Sequence, residues 1–135
     1  MTTLEDSFRN VLRLYRRVAI VGGPRVGKTT IATFARERIS DRRVFLHEEF
    51  KTFDLSGPDA PLAMIGATQN LASFLIEGVT VARALRKGMK VDAVVYLHKP
   101  RVPRIKGQIT MAKGVHTVFK QWRESHRDVP VFVME

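Results

Sequence analysis

Gly22-Gly23-Pro24-Arg25-Val26-Gly27-Lys28-Thr29 spells G-x-x-x-x-G-K-[ST]. The stretch is preceded by Arg17 to Val21 (RVAIV), a β-branched apolar run, and followed by Thr29 to Arg38 (TTIATFARER), a helical pattern. A strand feeding a glycine loop that opens a helix is the setting this motif needs. Gly22 and Gly27 permit backbone angles that a Cβ forbids. The loop can then curl until successive N–H groups point inward around phosphate oxygens. The helix behind it adds free N-terminal N–H groups and the positive end of its dipole. Lys28 supplies a mobile charge for the β- and γ-phosphates. Thr29 offers a hydroxyl to Mg²⁺, a hard ion that prefers oxygen, and Thr30 is placed to reach an α-phosphate. Gly22, Gly23, Pro24, Arg25, Val26, Gly27, Lys28, Thr29 and Thr30 are therefore the expected nucleotide-binding residues, with ATP and Mg²⁺ as the expected ligands.

Outward from this loop the chain alternates strand and helix. Residues 3 to 15 form an amphipathic helix, with Thr2 and Glu5 at capping-box spacing and Leu4, Phe8, Val11, Leu12 and Tyr15 on one stripe. Arg43 to His47 is a second strand, and residues 51 to 61, with Gly57, Pro58 and Pro61, a loop. Leu62 to Leu71 is a helix interrupted by Gly66, and Ala72 to Ile76 a third strand ending at Glu77-Gly78. Val79 to Lys87 is a helix closed by Gly88, and Val91 to Leu97 a fourth strand. Gln108 to Ser125 returns to helical periodicity, and Val129 to Val133 is a fifth strand. This alternation argues a parallel α/β sheet with right-handed crossovers. Ligands of such sheets bind at the carboxyl ends of the strands, where Lys28, Glu48, Glu49, Glu77 and the segment after Leu97 all fall.

The 135 residues suit a single domain over 1–135. There is no cysteine, which excludes disulfides and thiolate chemistry. No run approaches the ~20 apolar residues of a membrane span, and the opening MTTLEDSFRNVLRLYRR lacks a signal peptide's apolar core. A cytoplasmic protein without a membrane partner is expected. The net charge is +10 and uneven: residues 1–77 carry 11 Lys or Arg against 9 acids, residues 78–135 carry 12 against 4. A basic second half attracts nucleotides or nucleic acid, or is simply a solvated surface.

Three further positions carry chemistry. Glu77, at the end of a buried-type strand, suits a carboxylate that holds Mg²⁺ through water or orients an attacking group. Glu48 and Glu49 end the second strand, where a carboxylate can take a proton from an acceptor hydroxyl; strand alternation would turn one of the two toward the site. Residues 98–107 (HKPRVPRIKG) hold two prolines and four cations. Arg101 and Arg104 there can neutralise a transferring phosphate or contact a nucleic-acid backbone. As a lid, the loop is expected to be poorly packed until ligands bind. His47, His98, His116 and His126 lack metal-ligand spacing and read as structural or surface residues.

Together GGPRVGKTT, FLHEEF (Phe45 to Phe50), FLIEGVTVARAL (Phe74 to Leu85) and HKPRVPRIKG resemble the P-loop nucleoside and nucleotide kinases. The resemblance implies a five-stranded parallel sheet of order 2-3-1-4-5 flanked by helices, the P-loop NTPase fold. It implies an acceptor-contacting carboxylate at Glu48 or Glu49, where that family often has Asp, and an arginine-bearing lid at 98–107. The family continues past its fifth strand into a segment that helps hold adenine, so adenine recognition here is expected to be weak or borrowed from another subunit. Neither an N-K-x-D nor a Leu-Ser-Gly-Gly-Gln motif is present, against a GTPase or an ABC ATPase. Three functions stay open: a phosphotransferase acting on a nucleoside, nucleotide or nucleic-acid 5′ end; a small ATPase coupled to nucleic acid or a protein; and a non-catalytic nucleotide-binding module, possible as a homo-oligomer.

Overall fold

The structure is a computed structural model and describes residues 3–53 and 57–134. Its elements run α1 (Leu4–Leu14), β1 (Arg17–Val21), α2 (Lys28–Arg38), β2 (Arg43–Phe45), a 3₁₀ turn (His47–Phe50), α3 (Asp59–Thr68), β3 (Phe74–Glu77), α4 (Val81–Arg86), β4 (Ala93–Leu97), α5 (Lys106–Ser125) and β5 (Val131–Met134). The five strands form one parallel sheet of order β2-β3-β1-β4-β5. β1 is central, with β3 and β4 on its two sides. The register sets Ile20 opposite Glu77 and Val21 opposite Tyr96. The chain leaving β1 therefore emerges between the ends of β3 and β4.

Both sheet faces are covered, so the strands are apolar on both sides rather than alternating. On one face α1 and α2 pack Phe8, Val11, Leu12, Ile31, Ala32 and Ala35 over Val18, Ile20, Leu75 and Val95. On the other, α3, α4 and α5 bring Met64, Leu85, Val115, Phe119 and Trp122 over Ala19, Val21, Ile76 and Val94.

Element boundaries differ from the sequence expectations in ways with local causes. Thr3 caps α1, accepting from the Asp6 N–H at 3.1 Å; the expected Thr2 pairing lies outside the described residues, as does part of the 51–61 loop. The helix α3 starts at Asp59 rather than Leu62, because Pro61 falls in the first turn, where a missing N–H costs nothing. β2 stops at Phe45 instead of running to His47. There the Glu49 carboxylate accepts the Leu46 N–H at 2.8 Å and pairs with Arg43, which folds residues 47–50 into a 3₁₀ turn.

Candidate active site

The loop between β1 and α2 is held in shape by close backbone approaches. A Cβ on Gly22 would collide with the Leu97 carbonyl oxygen, and one on Gly23 would sit 2.7 Å from the Ala112 Cβ on α5. Gly27, at φ +90°, takes the left-handed conformation that turns the chain into α2. Arg25 also has a positive φ of 70°, uncommon for a non-glycine residue and characteristic of functional loops.

Lys28 opens α2 and folds back under the loop. It is 7% exposed, and its Nζ donates to the Gly23 carbonyl at 2.5 Å. Burial lowers its pKa to about 8; the Glu77 charge opposes that shift and Arg104 adds to it. A cation whose charge is disfavoured by burial is poised to gain from an anion.

Glu77 is 1% exposed. Its Oε1 accepts from the Thr29 hydroxyl at 3.3 Å and its Oε2 from the His47 main-chain N–H at 2.5 Å. The strand register brings this carboxylate level with the top of β1, beside the first turn of α2. Thr29 and Glu77 thus offer adjoining hydroxyl and carboxylate oxygens beside Lys28, a donor set that fits a Mg²⁺ ion sharing its remaining positions with water and phosphate. Among the described residues no cluster of three His, Cys, Asp or Glu side chains forms a self-sufficient metal cage.

The segment 98–107 lies on the phosphate loop. The Arg104 Nε donates to the Pro24 carbonyl at 2.8 Å, and the Arg101 N–H to the Arg25 carbonyl at 2.6 Å. The Arg101 side chain passes Gly27 closely enough that an added Cβ would touch its Cγ at 3.5 Å. The segment is exposed as expected, at every residue from 98 to 107 except Arg104, but it is also tied to the cradle by these two hydrogen bonds.

Glu48 and Glu49 occupy the 3₁₀ turn after β2, so strand alternation does not decide between them. Glu49 is engaged by Arg43 and the Leu46 N–H. Glu48 is exposed and bears on His47 electrostatically. His47, read from sequence as structural or surface, sits against this centre. Its N–H holds Glu77, and its ring Nδ1 is buried without a hydrogen-bond partner, beside the place where a Cβ on Gly78 would stand. Burial holds its pKa below the ordinary value against the pull of Glu77. The sequence signal was the position alone: two residues past a short buried strand, beside the Glu77-Gly78 step.

No protein-family profile matches the sequence, and no curated protein matches it either. Among solved structures the fold is similar to that of shikimate kinase from Acinetobacter baumannii, determined in complex with shikimate. The TM-score is 0.55 at 12% identity, over 93% of this chain and 86% of that one. At that identity the likeness is one of fold. With the sheet order and the loop it positions, it shows that the chain has the P-loop NTPase fold, in the five-stranded form of the P-loop kinases.

Proposed function

We propose that this protein binds ATP with Mg²⁺ and transfers the γ-phosphoryl group to a hydroxyl or phosphate of a nucleoside, nucleotide or nucleic-acid 5′ end. The observation that carries the reading is the buried Glu77 carboxylate beside the Thr29 hydroxyl and Lys28, at the mouth of the glycine loop. The main-chain N–H groups of residues 25–30 would donate to the phosphate oxygens. Lys28 would leave the Gly23 carbonyl for the β- and γ-phosphates. Thr29 and Glu77 would hold the ion, which when bound supplies charge neutralisation at the transferring group. Arg104 and Arg101 already lie on the loop, and their guanidinium groups would neutralise charge on the γ-phosphate, where stabilisation counts most in the transition state. Because Glu49 is committed to Arg43, the acceptor's proton falls to Glu48.

A second reading, an ATPase coupled to nucleic acid or to a protein partner, is favoured by the cationic second half of the chain. Measuring ATP turnover with and without nucleosides, nucleotides and oligonucleotides separates the two. A transferase hydrolyses ATP slowly alone and passes label from γ-³²P-ATP to one acceptor class. Turnover without any labelled acceptor selects the ATPase. A third reading, nucleotide binding with no turnover under any condition, leaves a binding module.

A further inference from the structure

The outer face of α5 carries a row of residues that the phosphate chemistry does not use. Lys106, Lys113 and Lys120 recur every seven residues and are all exposed. At 1.5 Å of rise per residue the row is about 21 Å long. Among the described residues none of the three enters an ion pair; the pairs are Arg17–Asp92, Arg38–Glu37, Arg42–Asp41 and Arg43–Glu49. The single acid of the helix is Glu124, at its far end, and its first turn has none. Three unpaired cations starting at the positive end of a helix dipole repel one another and the dipole, an arrangement that favours an anionic partner.

The Thr110 and Thr117 hydroxyls turn back onto the Lys106 and Lys113 carbonyls at 3.4 and 3.0 Å, so neither projects. Gly107 and Gly114 flank the row, and a Cβ added at either would meet nothing within 4 Å. No packing therefore requires glycine at these two helical positions, although each costs helix stability relative to alanine. A solvent-facing helix glycine with no packing reason fits a site where another backbone approaches closely. On α4, the neighbouring Arg86 reaches across to the Gln121 side chain at 3.0 Å and widens the cationic face.

We infer that this face of α5 is a track for single-stranded nucleic acid, whose backbone runs along Lys106, Lys113 and Lys120 toward the phosphate loop. The row begins two residues after Arg104, which touches Pro24 of the loop, so a strand on the track points its end at the site of phosphoryl transfer. The inference deepens the transferase reading by selecting the nucleic-acid 5′ end among its acceptors, but binding to the track does not need catalysis. An anionic membrane fits less well. A helix lying on a bilayer buries a continuous apolar face in it, whereas Val115, Phe119 and Trp122 of α5 are buried in the core and its exposed apolar residues, Ile109 and Met111, are confined to the first two turns beside Ile105.

The test is fluorescence anisotropy of a labelled single-stranded 20-mer, as DNA and as RNA, at 50 to 300 mM salt. Each phosphate contact on a single strand contributes a slope of about −0.7 in log affinity against log salt. The double variant Lys113→Gln/Lys120→Gln should flatten the slope by about 1.4 and weaken binding at least tenfold at low salt, with ATP affinity unchanged. Gly114→Gln should raise the melting temperature while weakening the oligonucleotide severalfold, a pairing that loss of fold cannot produce. Lys28→Ala should lose ATP and keep the oligonucleotide, so failure of the nucleotide reading shows separately. No binding at 50 mM salt overturns the track, and so does binding whose slope is unchanged in the double variant. Vesicles containing phosphatidylserine bound in preference to the oligonucleotide would assign the face to a membrane instead.

Discussion

Lys28 illustrates how one residue sets a stability cost against the phosphate-binding role proposed for it. Its folded pKa of about 8 lies below the ordinary 10.5. Between those values the unfolded chain holds more protons than the folded one, so stability from this group rises with pH across the window. Below about pH 8 the penalty is fully present, roughly 3 kcal/mol at 1.36 kcal/mol per unit, offset in part by the bond to Gly23. Lys28→Met, without ligand, is therefore expected to be more stable than the parent by about 1–3 kcal/mol at pH 7. The gap should close as pH rises from 8 to 10.5; urea denaturation at a series of pH values measures it, and a pH-independent gap would refute the burial account. Glu77 makes the complementary case. Glu77→Gln keeps the shape but removes the charge beside Thr29, and should lower turnover by roughly 10²-fold or more. Unchanged activity in that variant would move the ion-holding role to Glu48.

At the scale of elements, the ends matter more than the middles. The helix α1 is tied down from a distance: the Arg42 guanidinium, its side chain only 4% exposed, donates to the Leu12 carbonyl at 2.7 Å and the Tyr15 carbonyl at 2.8 Å. It satisfies the orphan carbonyls of the helix C-terminus with a charged donor. Arg42→Ala is expected to cost about 1–3 kcal/mol and to raise amide exchange in α1 before the sheet. Uniform protection loss across the chain would mean that α1 does not open separately. Nothing local in the sequence announces this contact. The strands, by contrast, were legible, because RVAIV, FLIE and AVVYL are apolar on both faces and a buried parallel strand leaves no other pattern. The phosphate loop was legible because its glycines, lysine and threonine have fixed spacing. The end of β2 was not. Its β-branched and aromatic run reads as strand through His47, and only the Glu49 cap on Leu46 and the long-range bond from His47 to Glu77 stop it at Phe45. The docking of residues 98–107 on the cradle also depends on contacts 80 residues apart, Arg104 with Pro24, and no periodicity encodes them.

At the scale of the whole molecule, the sheet order places one loop, one buried carboxylate and one arginine-bearing segment at a single edge. β1 lies between β3 and β4, so Glu77 and the residues after Leu97 flank the glycine loop from opposite sides. The division of labour across that edge predicts unequal kinetic effects. Arg101→Ala and Arg104→Ala should lower kcat more than they weaken ATP binding, because their charge is needed most in the transition state. Arg104→Ala also removes the bond to Pro24 and should loosen the loop before ligand arrives. Equal losses in kcat and affinity would make these residues plain binding groups. The proposed function requires above all that residues 22–30 receive a nucleotide and that Lys28 supply the charge there. The most direct test is calorimetric titration of the protein and of Lys28→Ala with a non-hydrolysable ATP analogue and Mg²⁺. Saturable one-to-one binding by the parent is expected, with at least a tenfold loss in a variant whose circular dichroism and melting remain those of a folded protein. Equal affinity in the two folded proteins, or no binding by the parent, would contradict it.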